Sequence, residues 1–307
     1  MDMSDKARMQ NGLRGTLRQG EPMAKHVTWR AGGAARVFFQ PADVPDLCAF
    51  LRALAPDEPV LFVGLGSNLL VRDGGFPGAV VFTHRALTGI STDPSRRDEL
   101  TFRAGAGVPA PHLARFVAKR GGKGAEWMAG IPGTIGGALA MNAGCYGGET
   151  WNHVVEVQTV DRSGTVNRRV PADFDLGYRH VHLRSNADEW FVSALFGFEP
   201  GDETAAMERI RSLLSKRVAS QPLNQPNAGS VFRNPPGDHA ARLIESCGLK
   251  GFTIGGAQVS PKHANFIVNL GDATAKDIES MVDHVQATVL SKTGIELARE
   301  VRIVGNE

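Results

Sequence analysis

An α+β fold is predicted, with a glycine-rich lobe followed by a smaller α/β lobe, and three observations lead to it. Short apolar runs bounded by glycine and proline, at 60–63, 79–82 and 100–104, read as strands. Residues 130–147 carry glycine at 130, 133, 136, 137, 144 and 147 with almost no charge, a pattern foreign to any regular core element. A proline- and asparagine-rich connector at 221–229 then precedes a closing stretch in which helical and strand patterns alternate. The length, 307 residues, exceeds that of a typical single domain and agrees with more than one lobe.

In chain order, residues 5–20 are expected to form a peripheral helix. A helix over 109–120 is predicted from Pro109 near its start and from Leu113, Phe116 and Val117 at helical spacing. Segments 154–160 and 165–170 flank the turn Asp161-Arg-Ser-Gly164 and read as a hairpin. A strand at 190–198 and a helix at 203–218 follow. Beyond the connector come a helix at 239–247, strands at 254–259 and 265–269, a helix at 274–292 and a strand at 296–304. The expected boundaries are a peripheral segment 1–21, a first lobe 22–200 divided near 85, a helix and connector 201–228, and a last lobe 229–307.

Composition narrows the function. A net charge of +2 argues against a nucleic-acid surface, and the apolar run at 59–65 is far too short to span a bilayer. Residues 1–19 lack the apolar core of a secretion signal. Cys48, Cys145 and Cys247 are odd in number and widely spaced, which suits neither a disulfide framework nor a zinc site. A cytoplasmic protein without a metal is expected.

Glycine costs backbone entropy wherever it is fixed, so its density at 130–147 implies a close approach to the main chain. A phosphate held by backbone N–H groups is the natural candidate. No segment supplies the lysine and hydroxyl residue of a Walker loop. Gly105-Ala-Gly107-Val-Pro-Ala110, with Glu126 about twenty residues on, mimics a dinucleotide fingerprint, but Gly121-Gly-Lys-Gly-Ala125 cannot be the strand that should carry the acid. Three separated loops, at 64–71, 105–110 and 130–147, fit better: each is rich in main-chain donors and poor in charge.

Five motifs then converge: Thr28-Trp-Arg-Ala-Gly-Gly33, Gly64-Leu-Gly-Ser-Asn-Leu-Leu70, Ala129-Gly-Ile-Pro-Gly-Thr-Ile-Gly-Gly137 with Met141-Asn-Ala-Gly144, Gly229-Ser-Val-Phe-Arg-Asn-Pro235, and Gly255-Gly-Ala-Gln-Val-Ser260. In this order, over residues 22–305, the sequence resembles the UDP-N-acetylenolpyruvoylglucosamine reductase family, flavoenzymes that complete UDP-N-acetylmuramate for bacterial peptidoglycan. The resemblance implies a two-part FAD-binding lobe of the vanillyl-alcohol oxidase and p-cresol methylhydroxylase type, then a substrate lobe. It implies NADPH as co-substrate and the UDP-sugar enolpyruvyl ether as substrate. No histidine occurs in the first loop, so FAD is expected to be non-covalent, and a monomer is expected. Cofactor contacts fall on Gly64, Gly66, Ser67, Asn68, Leu69, Ala106, Gly130, Pro132, Gly133, Thr134, Gly136, Gly137, Asn142 and Gly144.

By the same resemblance, Ser230 is the proton donor, Glu300 stabilises the developing enolate and Arg179 clamps the substrate carboxylate. An enol ether accepts hydride only when negative charge can spread into its carboxylate, so fixed donors there supply the main acceleration. Alternation along 297–304 sets Leu297, Val301 and Ile303 on one face and Glu300 with Arg302 on the other. Substrate contacts are expected at Tyr178, Arg233, Asn234, Gln258, Lys262 and Asn265, while His263 receives no chemical role. Val181 stands where the family usually has serine, and Ala298 and Arg299 replace a proline-containing pattern. The chain lacks the extra substrate-covering loop and resembles the shorter subclass. An FAD-dependent oxidase on the same scaffold and a catalytically inactive flavin binder are the alternatives.

Overall fold

The computed structural model describes residues 12–94 and 100–307. They form two compact units interleaved along the chain. Unit 1 takes the residues up to Arg18, Val37–Gly64 and Ala79–Ser215, and unit 2 takes Gln19–Arg36, Leu65–Gly78 and Lys216–Glu307. The contiguous boundaries expected from composition differ from this division, because the segments 19–36 and 65–78 belong with the C-terminal unit.

A six-stranded antiparallel sheet dominates unit 1, in the order Val166–Arg169, Val154–Asp161, Glu189–Pro200, Leu100–Gly105, Ile90–Thr92, with Gly122–Lys123 pairing off Glu189–Pro200. The hairpin read from the Asp161–Gly164 turn is present, with Val157 opposite Arg169 and Val160 opposite Val166. Helix Ala110–Ala118 buries Leu113 and Val117 as its spacing predicts, with Ala114, in a core with Phe102, Met128, Ile135, Leu139, Phe196 and Phe198, and Phe116 is half-buried against that core.

Four strands form a second sheet in the order Thr16–Pro22, Ala34–Gln40, Phe76–Phe82, Val60–Val63. Within unit 1, Phe39, Phe50, Leu51, Val81 and Val192 share one core cluster. Helix Val44–Ala53 belongs here although the composition gave no warning of it. Asp43 caps it by accepting the Asp46 N–H at 2.9 Å, Pro45 sits in its first turn, and Leu47, Phe50 and Leu51 point inward.

The expected helix at 5–20 lies partly outside the described residues, and where it is described the chain is extended over Thr16–Pro22. Thr16–Pro22 pairs instead as the edge strand beside Ala34–Gln40, so tertiary pairing overrides the weak helical pattern.

Unit 2 packs helix Ala275–Thr293 and helix Ala240–Ser246 with a three-stranded sheet, Thr253–Ile254, Ala257–Val259, Ile267–Asn269. The strand expected at 254–259 is a hairpin instead, because Gly255 at φ +52° turns the chain between Ile254 and Ala257. The closing strand is also shorter than expected: only Arg302–Val304 is regular, and it runs parallel to Leu69–Val71. Trp29, from the motif Thr28–Gly33, is fully buried, donates from Nε1 to the Ile267 carbonyl at 2.8 Å, and its carbonyl accepts from Asn269 Nδ2 at 2.9 Å. That motif is a packing element of this unit.

Two consecutive residues tie the 65–78 segment to the long helix. The Asp73 carboxylate accepts the N–H groups of Ala275 and Lys276 at 3.0 and 2.9 Å, at the positive end of the helix dipole. Arg72 forms a bidentate pair with Glu279, both contacts at 2.8 Å. Hydrogen bonding from Arg72 holds the Glu279 carboxyl below its usual range. A depressed carboxylate stabilises the fold above the ordinary glutamate pKa of about 4.3, and that stabilisation disappears as pH falls through the lower folded-state value. Glu279→Gln is therefore expected to lower unfolding free energy at pH 7 by about 1–2 kcal/mol. Denaturant melts across pH should show the gap to the unaltered chain closing below pH of about 4; a constant gap would refute the assignment.

Candidate active site

In unit 1 the glycine-rich segments bind one another. Ile135 N–H donates to Val108 O and Gly136 N–H to Ala106 O, both at 2.8 Å, and Ala110 N–H donates to Gly133 O at 2.9 Å. A Cβ on Gly136 would lie 2.9 Å from the Ala106 Cβ. Part of the glycine density thus permits chain to meet chain. The main-chain donor of Gly136, expected to face a phosphate, is used inside the protein. Gly137 differs: it is exposed, and a Cβ there would meet only Thr134 Oγ1, at 3.9 Å. Pro132 is exposed, while Gly130 and Gly133 are buried.

The Thr134 hydroxyl is placed to meet a ligand. The residue is 1% exposed and its hydroxyl has no hydrogen-bond partner. A Cβ on Gly64 would fall 2.1 Å from that hydroxyl, so only glycine leaves the space in front of it open. A buried unsatisfied hydroxyl costs about 1–3 kcal/mol, which an acceptor oxygen of a bound group would recover. Gly64, Ala106, Gly133 and Thr134 therefore suit the phosphate-bearing cofactor that the sequence implies.

Asn142 is a scaffold. At φ +42° and 3% exposed, it donates from Nδ2 to Glu149 Oε2 at 3.0 Å and to Gly177 O at 3.1 Å, and its Oδ1 accepts Trp151 N–H at 3.2 Å. The expected cofactor contact is thus not open to its side chain, whose donor hydrogens are both engaged within the protein. Its carbonyl accepts Arg179 Nη1 at 3.2 Å, and the Gly144 carbonyl accepts Nη2 at 2.9 Å. Arg179 is the second residue of the two-residue loop between Phe174–Gly177 and His180–Leu183, and its guanidinium lies 5.1 Å from the exposed Tyr178 ring.

Unit 2 brings the other two catalytic candidates together. Glu300 N–H donates to Val231 O at 2.8 Å, Val301 N–H to the same oxygen at 3.3 Å, and Arg233 N–H to Ala298 O at 2.8 Å. Phe232 and Arg299 form an isolated antiparallel bridge. Ser230 therefore precedes, and Glu300 belongs to, two segments stitched to each other. Both residues are half-buried. Glu300 lies outside the regular strand that alternation suggested, although Leu297 and Val301 are buried as that alternation required.

Asn68 joins this assembly: Nδ2 donates to Glu300 O and Asn68 O accepts Arg302 N–H, both at 3.0 Å. Gly66, at φ +61°, turns the same loop where a Cβ would lie 2.3 Å from His26 O. Ser67 is half-buried and Leu69 buried, the latter opening the strand parallel to Arg302–Val304.

The expected substrate contacts divide. Arg233 is half-buried and its Nε is buried without a partner, so it is poised for an anion. Asn234 is exposed and accepts Ala240 N–H at 3.1 Å, ahead of helix Ala240–Ser246. Gln258 donates to Gly251 O at 3.3 Å and Lys262 Nζ to Val218 O at 2.7 Å. Asn265 is a correction: it is 4% exposed and both atoms of its amide are engaged by Phe232, so it faces protein. His263 packs edge-on against Phe266, and burial pushes its pKa down, which keeps the ring neutral.

Two family models match the chain. An FAD binding domain covers residues 35–168, and the UDP-N-acetylenolpyruvoylglucosamine reductase C-terminal domain covers 221–304. A UDP-N-acetylenolpyruvoylglucosamine reductase of Thiobacillus denitrificans is 56% identical over 302 residues, spanning 95% of this chain and 93% of its own. The chain belongs to the UDP-N-acetylenolpyruvoylglucosamine reductase family. The reductase of Methylococcus capsulatus is also 56% identical, over 292 residues, with coverage of 95% and 94%. The crystal structure of the Thermus caldophilus reductase superposes with a TM-score of 0.76 at 30% identity, covering 95% of this chain and 99% of its own. An FAD-binding domain followed by the family's C-terminal lobe is thus the organisation of this family member.

The packing at 136 and 137 gives a direct contrast. Gly136→Ala forces a methyl group onto Ala106 and is expected to cost about 1–3 kcal/mol. Gly137→Ala meets no obstruction and is expected to raise stability slightly, as alanine does in a helix. Thermal melts of the two variants check this, and equal melting temperatures would contradict the close approach.

Proposed function

We propose that the chain reduces UDP-N-acetylglucosamine enolpyruvate to UDP-N-acetylmuramate with NADPH and FAD, in the synthesis of peptidoglycan precursor. The observation that carries the reading is family membership over nearly the whole chain together with Ser230 and Glu300 on adjoining, hydrogen-bonded segments. The chemistry that FAD supplies when bound is hydride carriage, from NADPH to the terminal CH₂ carbon of the enolpyruvyl group. Gly64, Ala106, Gly133 and Thr134 would hold it. The lack of histidine between Gly64 and Leu70 supports non-covalent attachment. We assign the FAD-binding part to the vanillyl-alcohol oxidase and p-cresol methylhydroxylase architecture on the resemblance of its loops.

Ser230 delivers a proton to the carbon that bears the ether oxygen. A serine hydroxyl is a weak acid, so the donation works only on a strongly basic carbon and from a fixed position. Glu300 stabilises the enolate charge as a hydrogen-bond donor, and Arg179 pairs with the substrate carboxylate. Arg233 serves the acidic part of the nucleotide sugar. Among the described residues no helix is long and apolar enough to cross a membrane, and no group of three or more His, Cys, Asp or Glu is placed to hold a metal. We place the enzyme in the cytoplasm, as a monomer, on its composition and the charge of its substrates.

Anaerobic mixing tests the reading. NADPH should bleach the flavin band and the enolpyruvyl substrate should restore it stoichiometrically; recovery only with oxygen would indicate an oxidase, and absence of bleaching an inactive binder. Ser230→Ala should leave bleaching within about twofold while slowing recolouring by about 10²–10⁴, the usual contribution of a positioned acid. Equal slowing of both half-reactions would remove Ser230 from the protonation step.

A further inference from the structure

The main-chain polar groups of Val231 and Phe232, both buried, are divided between two partners. One is the Glu300 segment, which donates twice to Val231 O. The other is a single residue, Asn265. Its carbonyl accepts Val231 N–H at 2.9 Å, its Oδ1 accepts Phe232 N–H at 3.0 Å, and its Nδ2 donates to Phe232 O at 2.8 Å. The carboxamide thereby imitates a peptide group of a neighbouring strand, where no regular strand runs. Only a primary amide offers a donor and an acceptor in this short geometry. Aspartate keeps the shape but loses the donor facing Phe232 O, and alanine leaves both groups of Phe232 unmet in a dry interior.

Asn265 is itself rigid. Ala264, Phe266 and Ile267 on either side of it are buried, and strand Ile267–Asn269 pairs with Ala257–Val259 immediately after it. The segment that carries Ser230 is thus suspended between a fixed amide and the Glu300 segment.

We infer that Asn265 is the positioning residue of the Ser230–Glu300 pair, acting through Val231 and Phe232 without touching substrate. The inference rests on the reductase reading and adds to it the device that sets the proton donor in register with the enolate-stabilising acid. A displaced hydroxyl transfers its proton poorly, so loss of the clamp should fall on the substrate half-reaction at saturation.

The test uses the FAD-loaded full chain and its Asn265→Ala and Asn265→Asp variants. Anaerobic stopped flow should show bleaching by NADPH within about twofold of the unaltered enzyme, and recolouring at saturating substrate slowed by about 10–100-fold, the scale of a small misplacement. The substrate Kd, read from perturbation of the oxidised flavin spectrum, should change by less than about threefold, and on the Ser230→Ala background Asn265→Ala should slow recolouring by less than about threefold, since the group it positions is gone. Independently of activity, hydrogen exchange of the peptide covering 230–233 should quicken by at least about tenfold while that of helix Ala275–Thr293 stays unchanged.

A raised Kd with normal recolouring at saturation would make Asn265 a substrate ligand and overturn the inference. Parallel loss of both half-reactions, or full additivity with Ser230→Ala, would make its role merely structural and overturn it equally. If the alanine variant does not fold, the near-isosteric aspartate variant decides on the same criteria. An unaltered enzyme that the substrate fails to recolour would overturn the functional reading and the inference together, whereas recolouring in it and in both variants at one rate would overturn the inference alone.

Discussion

Satisfying buried main-chain groups in irregular segments is the constraint on which the candidate site depends. Residues 130–137, 230–233 and 298–301 lie outside the sheets, and their buried members, among them Gly133, Thr134, Val231, Phe232 and Val301, cannot leave an N–H or C=O unmet without a cost like that of a lost hydrogen bond. Each finds its partner in another functional segment of its own unit: 133–136 in 106–110, and 231–233 in 298–301 and Asn265. The bonds that make these segments tolerable are therefore the ones that fix the site. A helix closes most of its bonds within itself and leaves the placement of neighbouring segments free, whereas bonds between segments fix it.

Glycine has two functions under this constraint, and sequence alone could not separate them. Gly136 and Gly137 are adjacent in one motif, yet the first lets the chain approach Ala106 and the second faces open space. Their identical appearance in sequence explains why the whole stretch read as a ligand cradle. At Gly64 the absence of a Cβ leaves the space in front of the buried Thr134 hydroxyl open, as a ligand cradle needs. The reading was too broad at Gly136, whose donor is used within the protein.

What was legible in the sequence was whatever depends on local pattern. The hairpin around Asp161–Gly164, helix Ala110–Ala118 and helix Ala275–Thr293 each follow from turn chemistry or apolar spacing. The strand Thr16–Pro22 and the bend at Gly255 escaped because weak local preference gave way to pairing and to one positive φ. Asparagine was the residue type most misread. Asn142 and Asn265 stand in motifs that suggest ligand contact, and both use their amides to replace missing peptide partners. No periodicity announces that role, because it depends on where distant backbone ends up. The available signal was negative: both asparagines are flanked by apolar residues, Met141 and Ala143 in one case and Ala264 and Phe266 in the other, which is an odd setting for a solvent-facing ligand contact.

Arg179 extends the same logic to the backbone itself. It occupies the second position of a two-residue hairpin loop at φ +53°, where glycine or asparagine is the ordinary choice. An arginine there costs of order 1–3 kcal/mol in backbone strain. The two hydrogen bonds from its guanidinium to the carbonyls of Asn142 and Gly144 hold the strained conformer in place. Asn142, itself at φ +42°, returns a hydrogen bond to Gly177 O at the base of the hairpin, so the loop and the glycine-rich segment brace each other. Stability alone would favour glycine at position 179. An arginine at such a cost fits a residue whose guanidinium direction matters more than the comfort of the turn, which is what the proposed carboxylate clamp requires.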